Sequence, residues 1–195
     1  MTDSATSIRD ILDFWFLPLG DPGYGKTREM WWKSTPELDD EIRGRFGPLL
    51  DRAIVGELDG WALSPDGALA LIVLCDQFPR NMHRRSVRAY CGDAKALQTA
   101  RLALSRFFPA VYPSDVRLFF YMPFQHSEAL ADQELCCALF SALGGKNGDE
   151  NAKYANGHRD IVARFGRFPH RNEVLGRNCT AEELDYLKTA ERFGQ

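Results

Sequence analysis

The sequence predicts an all-α protein. Apolar residues recur at steps of three and four along most of the chain, helix-capping residues stand where these stripes begin, and no alternating run of β-branched residues competes with them. With 195 residues, of which 45% are hydrophobic, the chain is long enough to bury one core. We therefore expect a single all-helical domain spanning residues 1–195.

In the first half of the chain, three helices are predicted. The apolar stripe within Ile8–Phe16 predicts the first, and Thr35 with Pro36 forms an N-cap and first helical position for the second. Pro48 lies inside that second pattern and predicts a kink or a split. Ser64 precedes the third helix, and its stretch Ala68–Cys75 is apolar on every side, which predicts a central position in the core.

The second half continues the helical pattern. A long helix is predicted from Val87 to Phe108, and another from Ser127 to a stop at Gly144. A further helix, which ends at Gly166, is predicted from one shared face formed by Tyr154, His158, Ile161 and Phe165. The capping box Thr180–Glu183 opens the last helix.

Composition and charge exclude several classes of protein. The net charge of −3 predicts no general affinity for nucleic acid, although residues 76–85 carry three arginines against one aspartate and residues 158–177 carry five arginines against two acids. The longest apolar run is too short to span a bilayer, and no secretory signal is visible at the N-terminus. Five cysteines without a C-x-x-C pair indicate neither a disulfide framework nor a zinc ribbon. These features favour a cytoplasmic protein that binds neither nucleic acid nor membranes.

A phenylalanine-proline turn occurs twice and is the most informative motif. It lies within Asp76–Asn81 and again within Arg164–Asn172, and a third polar segment, Pro123–Glu128, stands between them. Each copy ends a helical run and is followed at once by charged or amide side chains. Such segments can gather polar groups at one place in a fold, and they therefore predict a site.

Helical periodicity indicates which of these polar side chains point inward. Asp76 is in register with the core stripe of its helix, Glu128 and Asp132 head a row that continues as Leu135, Leu139 and Ala142, and His158 lies on an apolar face. Buried carboxylates need partners, and arginine is the best match for them. The candidate ligand-binding pocket comprises Asp76, Arg80, Asn81, His126, Glu128, Asp132, His158, Arg164, Arg167, His170, Arg171 and Asn172.

A purely structural role is the alternative for these residues. Asn81 and Asn172 can cap the short helices that follow their prolines, His158 can be a satisfied core histidine, and an arginine–carboxylate lattice can serve to fix how helices pack.

Metal binding is a further alternative. The residue types at His126, Glu128, His158, Asp160 and His170 suit a transition metal. However, residues two apart on a helix point in different directions, and no E-x-x-H or H-E-x-x-H pair is present. We therefore expect no metal and no other cofactor.

With these motifs in view, the chain resembles the bacterial family known as domain of unknown function 924. The resemblance runs from Phe14–Phe16 through the three polar segments to Leu175–Arg177 and the capping box. It implies a tetratricopeptide-like array of packed antiparallel helices, and it implies no activity.

Two function classes follow. The inward arginines and the histidine pair His126 and His170 outnumber the inward acids, so at least one guanidinium, with Arg167 as the first candidate, should be free for a ligand. We therefore expect the site to bind a small anion or an acidic peptide. The alternative is an enzyme that uses the same histidines and acids for acid–base chemistry or metal-assisted hydrolysis.

Overall fold

The computed structural model describes residues 2–189, apart from the side chains of residues 2–7, 146 and 147. Over this range the chain is helical and contains no strand, which confirms the all-α prediction. The helices are α1 (Thr2–Phe16), α2 (Pro36–Ile54), α3 (Pro65–Ile72), α4 (Phe78–Met82), α5 (Asp93–Ser105), α6 (Ser114–Arg117), α7 (Met122–Gln125), α8 (Leu130–Leu143), α9 (Gly145–Phe165) and α10 (Ala181–Leu187). A π-helical turn at Val73–Gln77 joins α3 to α4, and 3₁₀ turns lie at Glu29–Trp31, Asp59–Leu63, Val87–Tyr90, Phe108–Val111, Leu118–Phe120 and Pro169–Arg171.

The predicted helix ends are mostly where the capping residues place them. Thr35 and Ser64 each accept a backbone N–H of the following turn, and Thr180 with Glu183 forms a reciprocal capping box. Gly166 ends α9 in the left-handed conformation. Pro48 does not split α2, which runs through it.

Helix α3 forms the centre of the core. Every residue from Ala68 to Cys75 is at most 1% exposed, as its all-round apolar sequence predicts. Helices α1 and α5 pack against α3, and α2 packs against α4. The ring of Trp15, from α1, contacts those of Phe78 and Phe119 edge to face. Helices α3 and α4 are therefore packed against other helices on several sides. This packing fixes the position of the residues at the junction between them.

Pro79 explains the π turn. A proline has no N–H to donate to the carbonyl four residues earlier, here Cys75, and its ring would collide with that carbonyl in a regular helix. The helix widens instead, so that Phe78 N–H bonds to the Val73 carbonyl. The first Phe-Pro motif thus sets the direction of the residues in the widened turn, including Asp76.

Gly92 lets α5 approach this turn closely. A Cβ atom at position 92 would lie 2.1 Å from the Cys75 carbonyl oxygen, so a side chain cannot fit there. The predicted helix from Val87 to Phe108 is correspondingly wrong at its start, because α5 begins at Asp93 after a 3₁₀ turn. It ends at Ser105, since Phe107 takes a left-handed conformation (φ 58°).

Helix α8 is rotated relative to the predicted row. Asp132 is buried as expected, but Leu135 and Ala142 are exposed, and Cys136 and Phe140 face the core. Gln133 explains the rotation, since its amide turns inward to donate to the carbonyls of the polar segment that precedes the helix. Helices α8 and α9 pack side by side across Gly144, so they run antiparallel. The tetratricopeptide-like arrangement implied by the resemblance stays a prediction.

No helix in the described part of the chain is both long enough and apolar enough to cross a membrane.

Candidate functional site

Asp76 lies at the centre of a buried cluster of charged side chains. Its side chain is fully buried, and Oδ1 is 2.7 Å from Nδ1 of His126, while Oδ2 accepts a 2.5 Å hydrogen bond from the Gln77 amide. Arg80 donates to the Asp76 main-chain oxygen at 2.6 Å and lies 3.4 Å from Oδ1. Burial raises the pKa of Asp76, but His126, Arg80 and the hydrogen bonds outweigh it and hold the pKa below its ordinary value. The carboxylate is therefore ionised at neutral pH.

Arg80 also binds a second carboxylate inside the cluster. Its guanidinium binds both oxygens of Asp93, at 2.8 and 3.1 Å. Asp93 is the first residue of α5, and the close contact at Gly92 brings it there. Arg80 thus bridges the π turn and α5, and both of its terminal nitrogens are engaged by the protein.

His126 is held in one tautomer. Burial, followed by the charge of Arg80, lowers its pKa below the ordinary value and outweighs Asp76. Because the Asp76 carboxylate can only accept, the neutral imidazole donates its Nδ1–H, and Nε2 keeps its lone pair. Nε2 has no partner within residues 2–189, and the side chain is 17% exposed.

Arg171 lies beside His126 and is incompletely paired. Nη1 donates to the His126 main-chain oxygen at 3.0 Å, and the nearest carboxylate oxygen, on Asp93, is 3.8 Å away. The guanidinium is stacked 4.9 Å from the ring of Tyr90 and 4.4 Å from that of Phe168. Nε is buried without a hydrogen-bond partner, and Nη2 has none in the described structure. Burial and the charge of Arg80 lower the pKa of Arg171 to about 10, as expected for a cation short of compensation.

Glu128 attaches the second Phe-Pro motif to this cluster. Its two oxygens bind Arg177 at 2.6 and 2.9 Å, and it accepts the main-chain N–H of Phe168 at 2.8 Å. Phe168 in turn contacts the rings of His158 and His170. The three polar segments therefore do meet, with Asp76, Arg80, His126 and Arg171 in contact and Glu128, His158 and His170 arranged around Phe168.

The other predicted residues lie outside the cluster. Arg167 is not free, since it binds both oxygens of Glu183. The expectation that Arg167 is the guanidinium available to a ligand is therefore wrong, and Arg171 takes its place. The remaining four have separate partners: Asn81 bonds to Asp39, Asp132 to Arg101 and Ser127, Arg164 to Glu182, and Asn172 to Cys179.

Sequence reasoning missed Tyr90, Asp93 and Arg177. Tyr90 and Asp93 were not singled out because the predicted helix included both residues. The sequence Cys91-Gly92-Asp93 is, however, typical of a helix N-terminus. Arg177 lies in the basic segment 158–177, but the sequence does not indicate which acid it pairs with.

A metal centre and an apolar cavity are the other kinds of site to compare with this cluster. Among the described residues, no group of three or more histidine, cysteine or acidic side chains is arranged to hold a metal ion. A cavity of about 380 Å³ lies between α1 and the 111–113 segment, away from the charged cluster. Its lining is mainly apolar, with Arg9 and Asp66 at its edge.

Acid should weaken the fold through two buried histidines. Burial, together with the charge of Arg171, lowers the pKa of both His158 and His170 to about 4. In the unfolded chain these histidines have a pKa near 6.5. Between about pH 6.5 and pH 4 the unfolded state therefore binds protons that the folded state does not bind. The free energy of unfolding should fall across this range by up to about 3 kcal/mol per histidine.

Urea unfolding at pH 7, 6 and 5 measures this slope. A His158→Gln/His170→Gln double variant should lose most of it, and an unchanged slope in that variant would refute the assignment.

Two comparisons relate the chain to known proteins. A family model described as a bacterial protein of unknown function (DUF924) matches residues 11–191. A solved structure of a protein of unknown function from Agrobacterium tumefaciens is similar over 96% of this chain and 100% of its own, with 39% sequence identity and a TM-score of 0.85. No curated protein matches the chain.

Proposed function

The chain belongs to the DUF924 family of bacterial proteins of unknown function, and we propose that it binds a small carboxylate or phosphate at Arg171 and His126. The observation that carries this proposal is the incomplete pairing of the Arg171 guanidinium. A buried N–H without a partner costs free energy, and an anion is the group that would satisfy it.

The geometry of Arg171 suits an anion that presents two oxygens. Nη1 is occupied by the His126 carbonyl, which leaves Nε and Nη2 on the other edge of the guanidinium. These two donors form a fork that matches the two oxygens of a carboxylate or phosphate. The rings of Tyr90 and Phe168 hold the guanidinium plane in place, so little conformational entropy would be lost on binding.

The low exposure of the Arg171 and His126 side chains favours a small ligand over an acidic peptide. The side chain of Arg171 is 8% exposed and that of His126 17%. An extended peptide would need a longer open groove. Arg80 and Arg167 are occupied by internal carboxylates, which also argues against an extended polyanion such as nucleic acid.

We place this binding activity in the cytoplasm. The support is the set of free cysteines, two of which, Cys75 and Cys136, are buried as thiols in the core.

Calorimetry and thermal unfolding with succinate, phosphate and sulfate test the proposal, with glucose and choline as non-anionic controls. At a hundred times its dissociation constant, a bound anion should add about 2.7 kcal/mol to the free energy of unfolding. Arg171→Met should abolish this gain. Arg164→Met is the matched control, because Arg164 is a half-exposed partner of Glu182 outside the cluster, and it should keep the gain.

Failure of all three anions to stabilise the wild type would overturn the proposal. An equal gain in Arg171→Met would do the same.

A further inference from the structure

We propose that His126 is a general base that activates water to hydrolyse an ester whose anionic arm is held at Arg171. This inference rests on the proposed anion site and assigns it a reaction. Asp76 is a positioning residue in this scheme, because it touches His126 and not the substrate.

The first support is the fixed tautomer of His126. A buried, ionised carboxylate accepts its Nδ1–H, so the opposite nitrogen, Nε2, presents a lone pair outward. A base must be held in this way to remove a proton in a fixed direction. Asp76 is held in turn by Arg80 and Gln77, so the imidazole is oriented by a second layer of contacts.

The second support is the helix geometry at Asp76. The carboxylate lies in the π turn that Pro79 imposes, directly after the fully buried stretch Ala68–Cys75. Single π turns inside α-helices are frequent at functional sites. A carboxylate in this position is costly to bury, and a purely structural helix end would be served by an apolar residue.

The third support is the closeness of base and anchor. Arg171 donates to the main-chain oxygen of His126 itself, so the residue that would hold the anion is in direct contact with the residue that carries the base. A substrate whose anionic arm is bound at Arg171 would have its ester group held near Nε2 of His126. Binding would then position the ester for attack and lower the entropic cost of the reaction.

Water is the nucleophile that the surroundings leave available. The Ser127 hydroxyl donates its proton to Asp132 at 2.7 Å and not to His126. Burial raises the pKa of the Cys75 and Cys136 thiols far above the ordinary range, so they stay protonated. The imidazole is partly open to solvent, which suits hydrolysis and not the removal of a proton from carbon, because carbanions require the exclusion of water.

The step balances without a cofactor. Nε2 takes one proton from water as the water oxygen bonds to the ester carbonyl carbon. The tetrahedral intermediate then breaks its bond to the alcohol oxygen, and the imidazolium returns the proton to that oxygen. The products are a carboxylic acid and an alcohol.

p-Nitrophenyl hemisuccinate, which carries a free carboxylate, is the probe, and neutral p-nitrophenyl acetate is its control. Wild-type protein should release p-nitrophenol from the hemisuccinate. His126→Gln should reduce kcat about a hundredfold. His83→Gln, which changes a histidine outside the cluster, should leave kcat unchanged. Arg171→Met should raise KM for the hemisuccinate and leave the slower acetate reaction unaltered.

Asp76→Asn separates positioning from structure. An asparagine amide can donate to Nδ1 and so favours the tautomer with a proton on Nε2, which removes the base. We expect kcat to fall at least about tenfold while nitrogen-15 NMR shows the His126 tautomer exchanged. Thermal unfolding of each variant verifies that it is folded.

The outcomes distinguish the two proposals. Succinate binding without hemisuccinate hydrolysis, or with hydrolysis that survives His126→Gln, overturns the general base and leaves the anion site standing. Absence of anion binding overturns both.

Discussion

Replacing Gly92 with alanine should destabilise the protein by about 3 kcal/mol or more. The new Cβ would lie 2.1 Å from the Cys75 carbonyl oxygen and 2.8 Å from the carbonyl carbon and Cα of the same residue. All three atoms belong to the backbone of a fully buried helix, so no flexible side chain can move aside, and overpacking of this kind costs about 1–3 kcal/mol or more. Relief would push α5, and with it Asp93, away from Arg80.

Urea unfolding measures the effect, and Gly157→Ala is the control. Gly157 is an exposed residue of α9, and an alanine Cβ there would meet no atom within 4 Å, so this substitution should stabilise the fold by up to about 1 kcal/mol. If Gly92→Ala unfolds within about 0.5 kcal/mol of the wild type, the close approach is not a constraint on the fold.

Replacing Arg80 with methionine should cost about 3–5 kcal/mol, the range for removing one partner of a buried ion pair. Methionine fills similar volume but leaves Asp76 fully buried with a weaker counter-charge and Asp93 without its two hydrogen bonds. The loss should be partly reversed in Arg80→Met/Asp93→Asn, since the unpaired charge at position 93 is then gone.

The comparison for Arg80 is Arg52→Met. Arg52 pairs with Glu57 on the surface, where both side chains are about half exposed (47% and 57%), and such pairs contribute about 1 kcal/mol at most. Equal losses in the two single variants would show that Arg80 acts as an ordinary surface cation.

The fold was predictable where local chemistry decides it. The caps at Thr35, Ser64 and Thr180 and the apolar stretch of α3 act within a few residues, so the sequence pattern alone places them. The start of α5 was not predictable in this way, because Gly92 is required by a contact with Cys75 seventeen positions earlier in the chain.

The site was predictable in its segments but not in its pairings. Hydrophobic register identified Asp76, repetition identified the two Phe-Pro motifs, and the structure brings these segments together. Which arginine lacks a carboxylate depends on tertiary geometry. Arg167 and Arg171 stand in the same motif, yet Arg167 reaches Glu183 from α10 while Arg171 turns toward His126. Sequence spacing contains no information on that choice.

The end of α9 and the segment after it share a small hydrophobic cluster, formed by Ile161, Val162 and Phe168 and separate from the main core. Its attachment to the 126–128 turn runs through Glu128 and Arg171, by hydrogen bonds and not by shared apolar packing. Local unfolding follows such boundaries, since polar contacts can be exchanged for water with the core left intact. We therefore expect the two halves of the cluster to differ in local stability, and a ligand that bridges Arg171 and His126 would shift the population toward the state in which they are joined.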